Sequence, residues 1–203
     1  MNTAITTIYT ITDDWLKSRR HKESAQCTVS DAEVMTVAIT AARFFHGNYA
    51  KTWRHLMEER YMEERYMLRR LSDSQFNRRL RRIHHLFEAL FQQLAACWKR
   101  LSEEDIFLID SFPVPVCDNI RINDCRINDC RIYPSDATDD AFRGYIASKR
   151  RYFYGLKVHL MTDEHGRPVE ASLQPGSRSD TGQLRNFEFD LPEGATAYAD
   201  KAY

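Results

Sequence analysis

No glycine or proline occurs between Ala50 and Leu101, so no residue in this stretch breaks a helix. Two segments, Ser30–Glu33 and Ser72–Gln75, have the form of a capping box, in which a serine and a Glu or Gln satisfy free backbone N–H groups. After the second box, apolar residues recur at steps of three and four: Phe76, Leu80, Ile83, Phe87, Leu90, Phe91 and Leu94. This spacing is typical of one buried helix face and predicts a helical first half.

The second half of the sequence changes its apolar pattern. Apolar residues fill 106–109 and end at Asp110, as in a central strand covered on both faces. Pro113 and Pro115 are expected to end its regular pairing. Further strands are predicted at 152–161, 169–173 and 195–199, with a turn at 163–168 and a short helix at 179–190. The predicted fold class is α/β: a helical region at 1–101, then a sheet with a flanking helix at 102–203.

Charge is divided unevenly between the halves. The chain has 29 basic and 29 acidic residues, but residues 1–101 carry 17 basic against 11 acidic side chains. This asymmetry is one cue for separate nucleic-acid-binding and metal-binding regions, although basic residues also solvate ordinary helix surfaces. Six arginines suggest a surface that contacts phosphates. The alternative is a plain solvated helix face. They are Arg69, Arg70, Arg78, Arg79, Arg81 and Arg82.

Two aspartates stand at the ends of predicted strands. Asp110 follows the first strand and Asp200 follows the last. Carboxylates at the tips of neighbouring strands can converge, and their hard oxygen ligands suit Mg²⁺ or Mn²⁺. Aspartate is common at strand ends, however, so this spacing alone identifies no metal site.

Four segments resemble a known family. They are LIDSFPVPVC at 108–117, RGYIASKRRYFYGLKVHL at 143–160, PGSRSD at 175–180 and YADKAY at 198–203. Their sequences and their order resemble the bacterial insertion-sequence transposases of the DDE type, in the nine-eighty-two family. The helical first half is similar to that family as well.

The resemblance implies a ribonuclease-H-like core with an Asp-Asp-Glu triad. It implies that Asp110 and Asp200 are the first two catalytic acids and ligands of Mg²⁺ or Mn²⁺. The activity implied is DNA transposition, in which metal-dependent cleavage exposes a 3′-OH that attacks target DNA. The expected partners are double-stranded DNA (the insertion-sequence ends and the target) and further copies of the chain. Lys157 and His159, on the strand expected opposite Asp110, are candidates to contact the scissile phosphate, with a solvated lysine and a partly buried histidine as the plainer interpretation.

The sequence departs from the family pattern at the third acid. No glutamate follows Asp200, and Glu188 and Glu193 precede it. We therefore expect a C-terminally truncated, incomplete sheet and an inactive copy of the enzyme. The alternative is a DNA-binding remnant or inhibitor without catalysis, built on the helical region at 1–101.

The sequence has four further features, which concern its cysteines, its apolar runs, two duplications and a run of aromatic residues. The five cysteines are scattered and include no Cys-x-x-Cys pair, which favours a reducing cytoplasm over a disulfide framework or a zinc site. No apolar run approaches the roughly 20 residues needed to span a bilayer. Two five-residue segments are duplicated, at 57–66 and 121–130. Tyr152, Phe153 and Tyr154 are most simply core and strand-face residues, with stacking on an unpaired base as the alternative.

Overall fold

The first half of the chain is helical, as its pattern predicts. The computed structural model describes residues 1–58, 71–102, 105–117, 139–146 and 149–200. The duplication at 121–130, and all but the start of that at 57–66, lie outside these residues. Of the described helices, none is long and apolar enough to cross a membrane. Those of the first half are α1 (Asn2–Ser18), α2 (Asp31–Phe44), α3 (Tyr49–Glu58), α4 (Asp73–Arg82) and α5 (His84–Arg100).

Both predicted capping boxes are confirmed. Ser30 accepts from the Glu33 N–H at 3.1 Å, and the Glu33 carboxylate accepts from the Ser30 N–H at 2.5 Å. Ser72 and Gln75 exchange the equivalent bonds at 3.3 Å and 3.1 Å. These boxes set where α2 and α4 begin.

The predicted single helix face from Phe76 onward is wrong in one respect. The helix ends at Ile83, whose backbone (φ −104°, ψ 12°) leaves the helical region, and α5 starts afresh at His84. Ile83 and Leu86 are buried. The break therefore lets α4 and α5 each direct apolar side chains inward. The spacing in the sequence does not require such a break, because one straight helix would also present a single apolar face.

Two compact units make up the chain, Met1–Phe91 and Gln92–Tyr203. In the first unit, α1 and α2 contact each other through Thr12 and Thr36, whose hydroxyl oxygens lie 3.3 Å apart. Trp53 of α3 is fully buried and meets the ring of Phe76 edge-on, with centroids 5.8 Å apart. Burial of such aromatic rings supplies much of the apolar stabilisation of a small unit.

The second unit is built on a mixed sheet, which confirms the predicted fold class. Its strands are β1 (Ile106–Cys117), β2 (Arg143–Ile146), β3 (Arg151–Asp163), β4 (Pro168–Pro175) and β5 (Thr196–Ala199), and its short helix is α6 (Asp180–Gln183). The order is β2-β3-β1-β5, with β4 also paired to β3. Strand β1 is antiparallel to β3 and parallel to β5. This arrangement is consistent with the ribonuclease-H-like core that the resemblance implies.

The prediction that the two prolines end the pairing of β1 is wrong. Pro113 lies opposite Lys157 and Pro115 opposite Gly155, and the strand continues to Cys117. Strand β5 pairs with β1 only as far as Ile109. Beyond that residue no described strand pairs with this side of β1, so a proline nitrogen that faces away from β3 forfeits no ladder hydrogen bond with the described residues.

The predicted turn between the third and fourth strands is confirmed. Asp163 is fully buried at the end of β3. Its carboxylate accepts from the backbone N–H groups of His165 at 3.0 Å and Arg167 at 2.8 Å, and from the Arg167 guanidinium at 2.5 Å. A buried carboxylate with several charge-assisted donors fixes both the turn and the register of the hairpin.

Towards the start of β3, Phe142 packs against Tyr154 on the face that carries Leu108 and Asp110, but around Phe107 the described residues cover only the opposite face. Phe107, Ile109 and Met161 are buried there, and Trp98, Leu184, Phe187 and Leu191 pack against that face. On the other face Leu108 is 48% exposed and Tyr198 is 56% exposed. The expectation that β1 is covered on both faces is therefore wrong among the described residues, because consecutive apolar residues do not reveal which face a neighbour covers.

Candidate active site

Asp110 lies on β1, on the exposed face of the sheet. Leu108 and Phe112 lie two positions away on either side, so they share this face with Asp110. They are 48% and 46% exposed. The Asp110 side chain is exposed as well. Its Oδ1 accepts a hydrogen bond from the Ser111 N–H at 2.7 Å.

Asp200 directly follows β5, the strand that pairs in parallel with β1. The parallel register pairs Leu108 with Tyr198 and Ile109 with Ala199. Continuing this register by one residue sets Asp200 beside Asp110, on strands that are about 4.8 Å apart. Both residues are exposed. This extension of the register would set two carboxylates that are 90 positions apart in the chain side by side.

This pair of carboxylates has the donor chemistry of a hard divalent cation. Mg²⁺ and Mn²⁺ prefer carboxylate oxygens and retain several water ligands, so a solvent-facing pair suits them. No soft ligand is among the residues that form the pair. The residues present therefore fit Mg²⁺ or Mn²⁺, with Asp110 and Asp200 as the side chains that would hold it.

Lys157 and His159 lie on the other face of the sheet. Leu160 is the residue that pairs with Asp110, whereas His159 pairs with Ser111. Side chains alternate along a strand, so Lys157 and His159 face away from Asp110. The structure does not bring these two residues to the acidic pair.

These two side chains join a polar cluster around Asp180. The Lys157 ammonium lies 2.7 Å from Asp180 Oδ1 and donates to the Arg178 carbonyl at 3.2 Å. His159 is fully buried, and its Nε2 lies 2.6 Å from the side-chain nitrogen of Gln174. Burial lowers the pKa of His159, an effect that Asp180 opposes and Lys157 reinforces. A neutral ring accepting from the Gln174 amide agrees with that direction.

The predicted arginine surface divides into three groups. Arg69 and Arg70 lie outside the described residues. Arg78, Arg81 and Arg82 are exposed on α4. Arg79 is different, because its guanidinium lies 2.5 Å from Asp31 and its side chain is only 15% exposed. Arg79 thus ties α4 to α2 within the first unit.

A second cluster of potential metal ligands was not anticipated from the sequence. His21, Glu23 and Asp31 each offer one ligand atom, all within 4.8 Å of one another. However, Asp31 is already bonded to His21 at 2.8 Å and to Arg79 at 2.5 Å. The arginine neutralises the carboxylate that a metal ion would need. Its members lie within or next to the connection between α1 and α2, but no recognised metal-ligand motif in the sequence marks them.

Comparison with known proteins places this domain in a family. The family model described as the transposase DDE domain matches residues 101–203. No curated protein and no solved structure gives a significant match to the chain. The family match covers the whole sheet and both aspartates of the acidic pair, and extends over half of the chain. This chain therefore belongs to the transposase DDE domain family.

Proposed function

We propose that the chain is a DNA transposase of the nine-eighty-two family of insertion sequences, whose chemistry is DNA strand cleavage and strand transfer. The observation that carries this proposal is the position of Asp110 and Asp200. Both are exposed, and the parallel register of β1 and β5, extended by one residue, would set them side by side, within the segment that matches a transposase domain. The polypeptide acts on double-stranded DNA in the cytoplasm, as a homo-oligomer.

In this proposal Asp110 and Asp200 hold Mg²⁺ or Mn²⁺. When bound, such an ion supplies Lewis acidity that activates water and stabilises the oxygen leaving phosphorus. The protein must keep both carboxylates ionised and accessible. The Ser111 N–H orients Asp110 through its bond to Oδ1, and the exposed face leaves room for a DNA backbone to approach.

DNA contact is assigned to the arginine surface of the helical region. Arg78, Arg81 and Arg82 are exposed along one short helix, where guanidinium groups can each pair with a phosphate. Arg69 and Arg70 extend this set in the sequence. Arg79 is assigned instead to its ion pair with Asp31. Phosphate contact by Lys157 or His159 stays a prediction, and their position on the face opposite Asp110 weighs against it.

A polypeptide of these 203 residues supplies two of the three acids that the family resemblance implies. Two carboxylates hold a divalent ion less tightly than three and leave it less well positioned. A polypeptide limited to residues 1–203 is therefore expected to bind DNA without cutting it efficiently. The second candidate function, a DNA-binding inhibitor without catalysis, follows from the same arginine surface.

A supercoiled-plasmid assay with Mn²⁺ tests this proposal. The purified chain and its Asp110→Asn variant are expected to bind the plasmid equally and to leave it supercoiled to the same extent. Nicking by the unmodified chain that disappears in Asp110→Asn would contradict the proposed inactivity while supporting the site. Absence of DNA binding by either protein at low salt would contradict the role in transposition and the inhibitor role alike.

A further inference from the structure

The hairpin formed by β2 and β3 presents two tyrosines to solvent. Tyr145 lies directly opposite Tyr152 in the register. Their ring centroids are 4.9 Å apart with planes tilted by 52°. After making this contact, the side chains are still 52% and 49% exposed. Such an aromatic pair, with half its surface open, is available to a flat ligand.

The same hairpin is strongly basic. Residues 143–151 include Arg143, Lys149, Arg150 and Arg151 and no acidic residue. The guanidinium of Arg143 lies 4.8 Å from the centre of the Tyr152 ring. Lys149 and Arg150 are exposed where the chain turns into β3. Positive charge beside open aromatic rings matches a ligand that carries both phosphates and planar bases.

The hairpin has its own core on the opposite face. Phe153 is 1% exposed and lies against Gly144 and Gly176, where an added Cβ would meet its ring within 3.0 Å. The Gly176 N–H donates to the Gly155 carbonyl at 3.0 Å. Burial of Phe153 therefore anchors the hairpin, and the two tyrosines are not needed to fill that core.

The tyrosine pair shares its sheet face with the acidic pair. Tyr152 and Leu160 are both even-numbered on β3, so their side chains lie on one face, and Leu160 pairs with Asp110. Eight residues separate them on that strand, about 26 Å at roughly 3.3 Å per residue. That span corresponds to roughly eight steps of a DNA strand at about 3.4 Å each. One DNA molecule is therefore long enough to span the distance between the two places.

We propose that Tyr145 and Tyr152, with the basic residues of the hairpin, form a stacking platform for unpaired bases of DNA. The platform rests on the proposed function, because it lies on the sheet face that presents Asp110 and Asp200. Stacking requires bases outside a duplex, so the ligand class is a single-stranded or locally melted DNA segment. A protein partner is the competing occupant, and the lack of acidic residues in the hairpin favours the polyanion.

Equilibrium binding of fluorescent oligonucleotides tests the platform. The probes are a single-stranded oligothymidine, a duplex with a short unpaired stretch, and the fully paired duplex. The Tyr145→Ala/Tyr152→Ala variant is expected to bind the first two at least tenfold more weakly, and the paired duplex nearly as well as the unmodified chain. The Tyr145→Phe/Tyr152→Phe variant keeps the rings and is expected to bind within about twofold of the unmodified chain.

Salt dependence separates the stacking contribution from the charge contribution. Loss of the tyrosine rings is expected to leave the slope of log affinity against log salt unchanged, because stacking releases no counterions. The Lys149→Ala/Arg150→Ala variant is expected to make this negative slope shallower by about 1.4 for the single strand. Phe189→Ala, which removes another exposed aromatic side chain of the same unit, is the matched control and is expected to change neither quantity.

Photocrosslinking tests the unmodified chain and does not depend on the variants folding. A 5-bromouracil oligonucleotide is expected to crosslink to the peptide that contains Tyr145 or Tyr152. Crosslinks confined to other peptides, or alanine variants that fold and bind single strands as tightly as the unmodified chain, would overturn the platform and leave a protein partner as the occupant. Failure of Mn²⁺ binding at Asp110 and Asp200 would instead contradict the proposed function and leave these binding results standing.

Discussion

Replacing Trp53 with alanine is expected to lower the free energy of unfolding of the helical unit by about 3–5 kcal/mol. Trp53 is fully buried, and its ring meets Phe76 edge-on at 5.8 Å. Its removal leaves a cavity that surrounding helices fill only in part. Because small domains are stable by only about 5–15 kcal/mol, this single change removes a large share of that stability.

Denaturant titration followed by helical circular dichroism measures this effect. Trp53→Phe is the matched control, because it keeps an aromatic ring against Phe76. It also removes the Trp53 indole N–H, which is buried without a hydrogen-bond partner among the described residues. The phenylalanine variant is expected to lose less than half as much stability as the alanine variant. Equal losses in both, or an alanine variant within about 1 kcal/mol of the unmodified chain, would contradict this description of the core.

Replacing Gly144 with alanine is expected to destabilise the sheet unit by about 3 kcal/mol. A Cβ at this position would lie 2.3 Å from the ring of Phe153 and 2.4 Å from the backbone oxygen of Gly176. Phe153 is buried, and a backbone carbonyl cannot swing aside like a flexible side chain. The hairpin of β2 and β3 must therefore move away from the segment that follows β4.

Gly182→Ala provides the control for this prediction. An added Cβ there meets only Ser179 Oγ at 3.5 Å, and alanine is favoured over glycine in a helix by about 1 kcal/mol. Thermal unfolding is expected to show a lowered midpoint for Gly144→Ala and an unchanged or raised one for Gly182→Ala. If the two variants unfold at the same temperature, the close packing at Gly144 is wrong.

The features that could be predicted from sequence depend on residues close together in the chain. The capping boxes at Ser30 and Ser72 each involve residues three positions apart, so the local pattern suffices to find them. The turn between β3 and β4 is likewise set by Asp163 and by N–H groups within four residues of it. Hydrogen bonds between residues close in the chain determine these features, and tertiary packing does not change them.

The features that could not be predicted from the sequence depend on pairing between distant segments. Pro113 and Pro115 are compatible with β1 because the described part of β5 pairs with β1 only as far as Ile109. The exposure of Leu108 depends on which face Trp98 and Phe187 cover. The orientation of Lys157 and His159 follows from the register of β3 against β1. None of these features produces a periodic pattern of residues in the sequence of a single strand.

The acidic pair lies between these two cases. Each aspartate was found from the apolar run before it, which is a local signal. That the two side chains are neighbours follows from the parallel pairing of β1 with β5, which only the resemblance to a known family implied. Arg79 is a case in which the sequence pattern misleads. The pattern predicts a charged surface residue, but in the structure Arg79 forms an ion pair with Asp31.

Mn²⁺ binding to the 203-residue chain, followed by electron paramagnetic resonance of the free ion, tests the central claim most directly. Asp110→Asn and Asp200→Asn are each expected to weaken binding about tenfold or more, and the double variant little further, because one ion loses its site in every case. Glu23→Gln, in the separate His21, Glu23 and Asp31 cluster, is expected to bind Mn²⁺ like the unmodified chain. Independent, additive losses from the two aspartates, or no loss from either, would show that Asp110 and Asp200 do not share a metal ion.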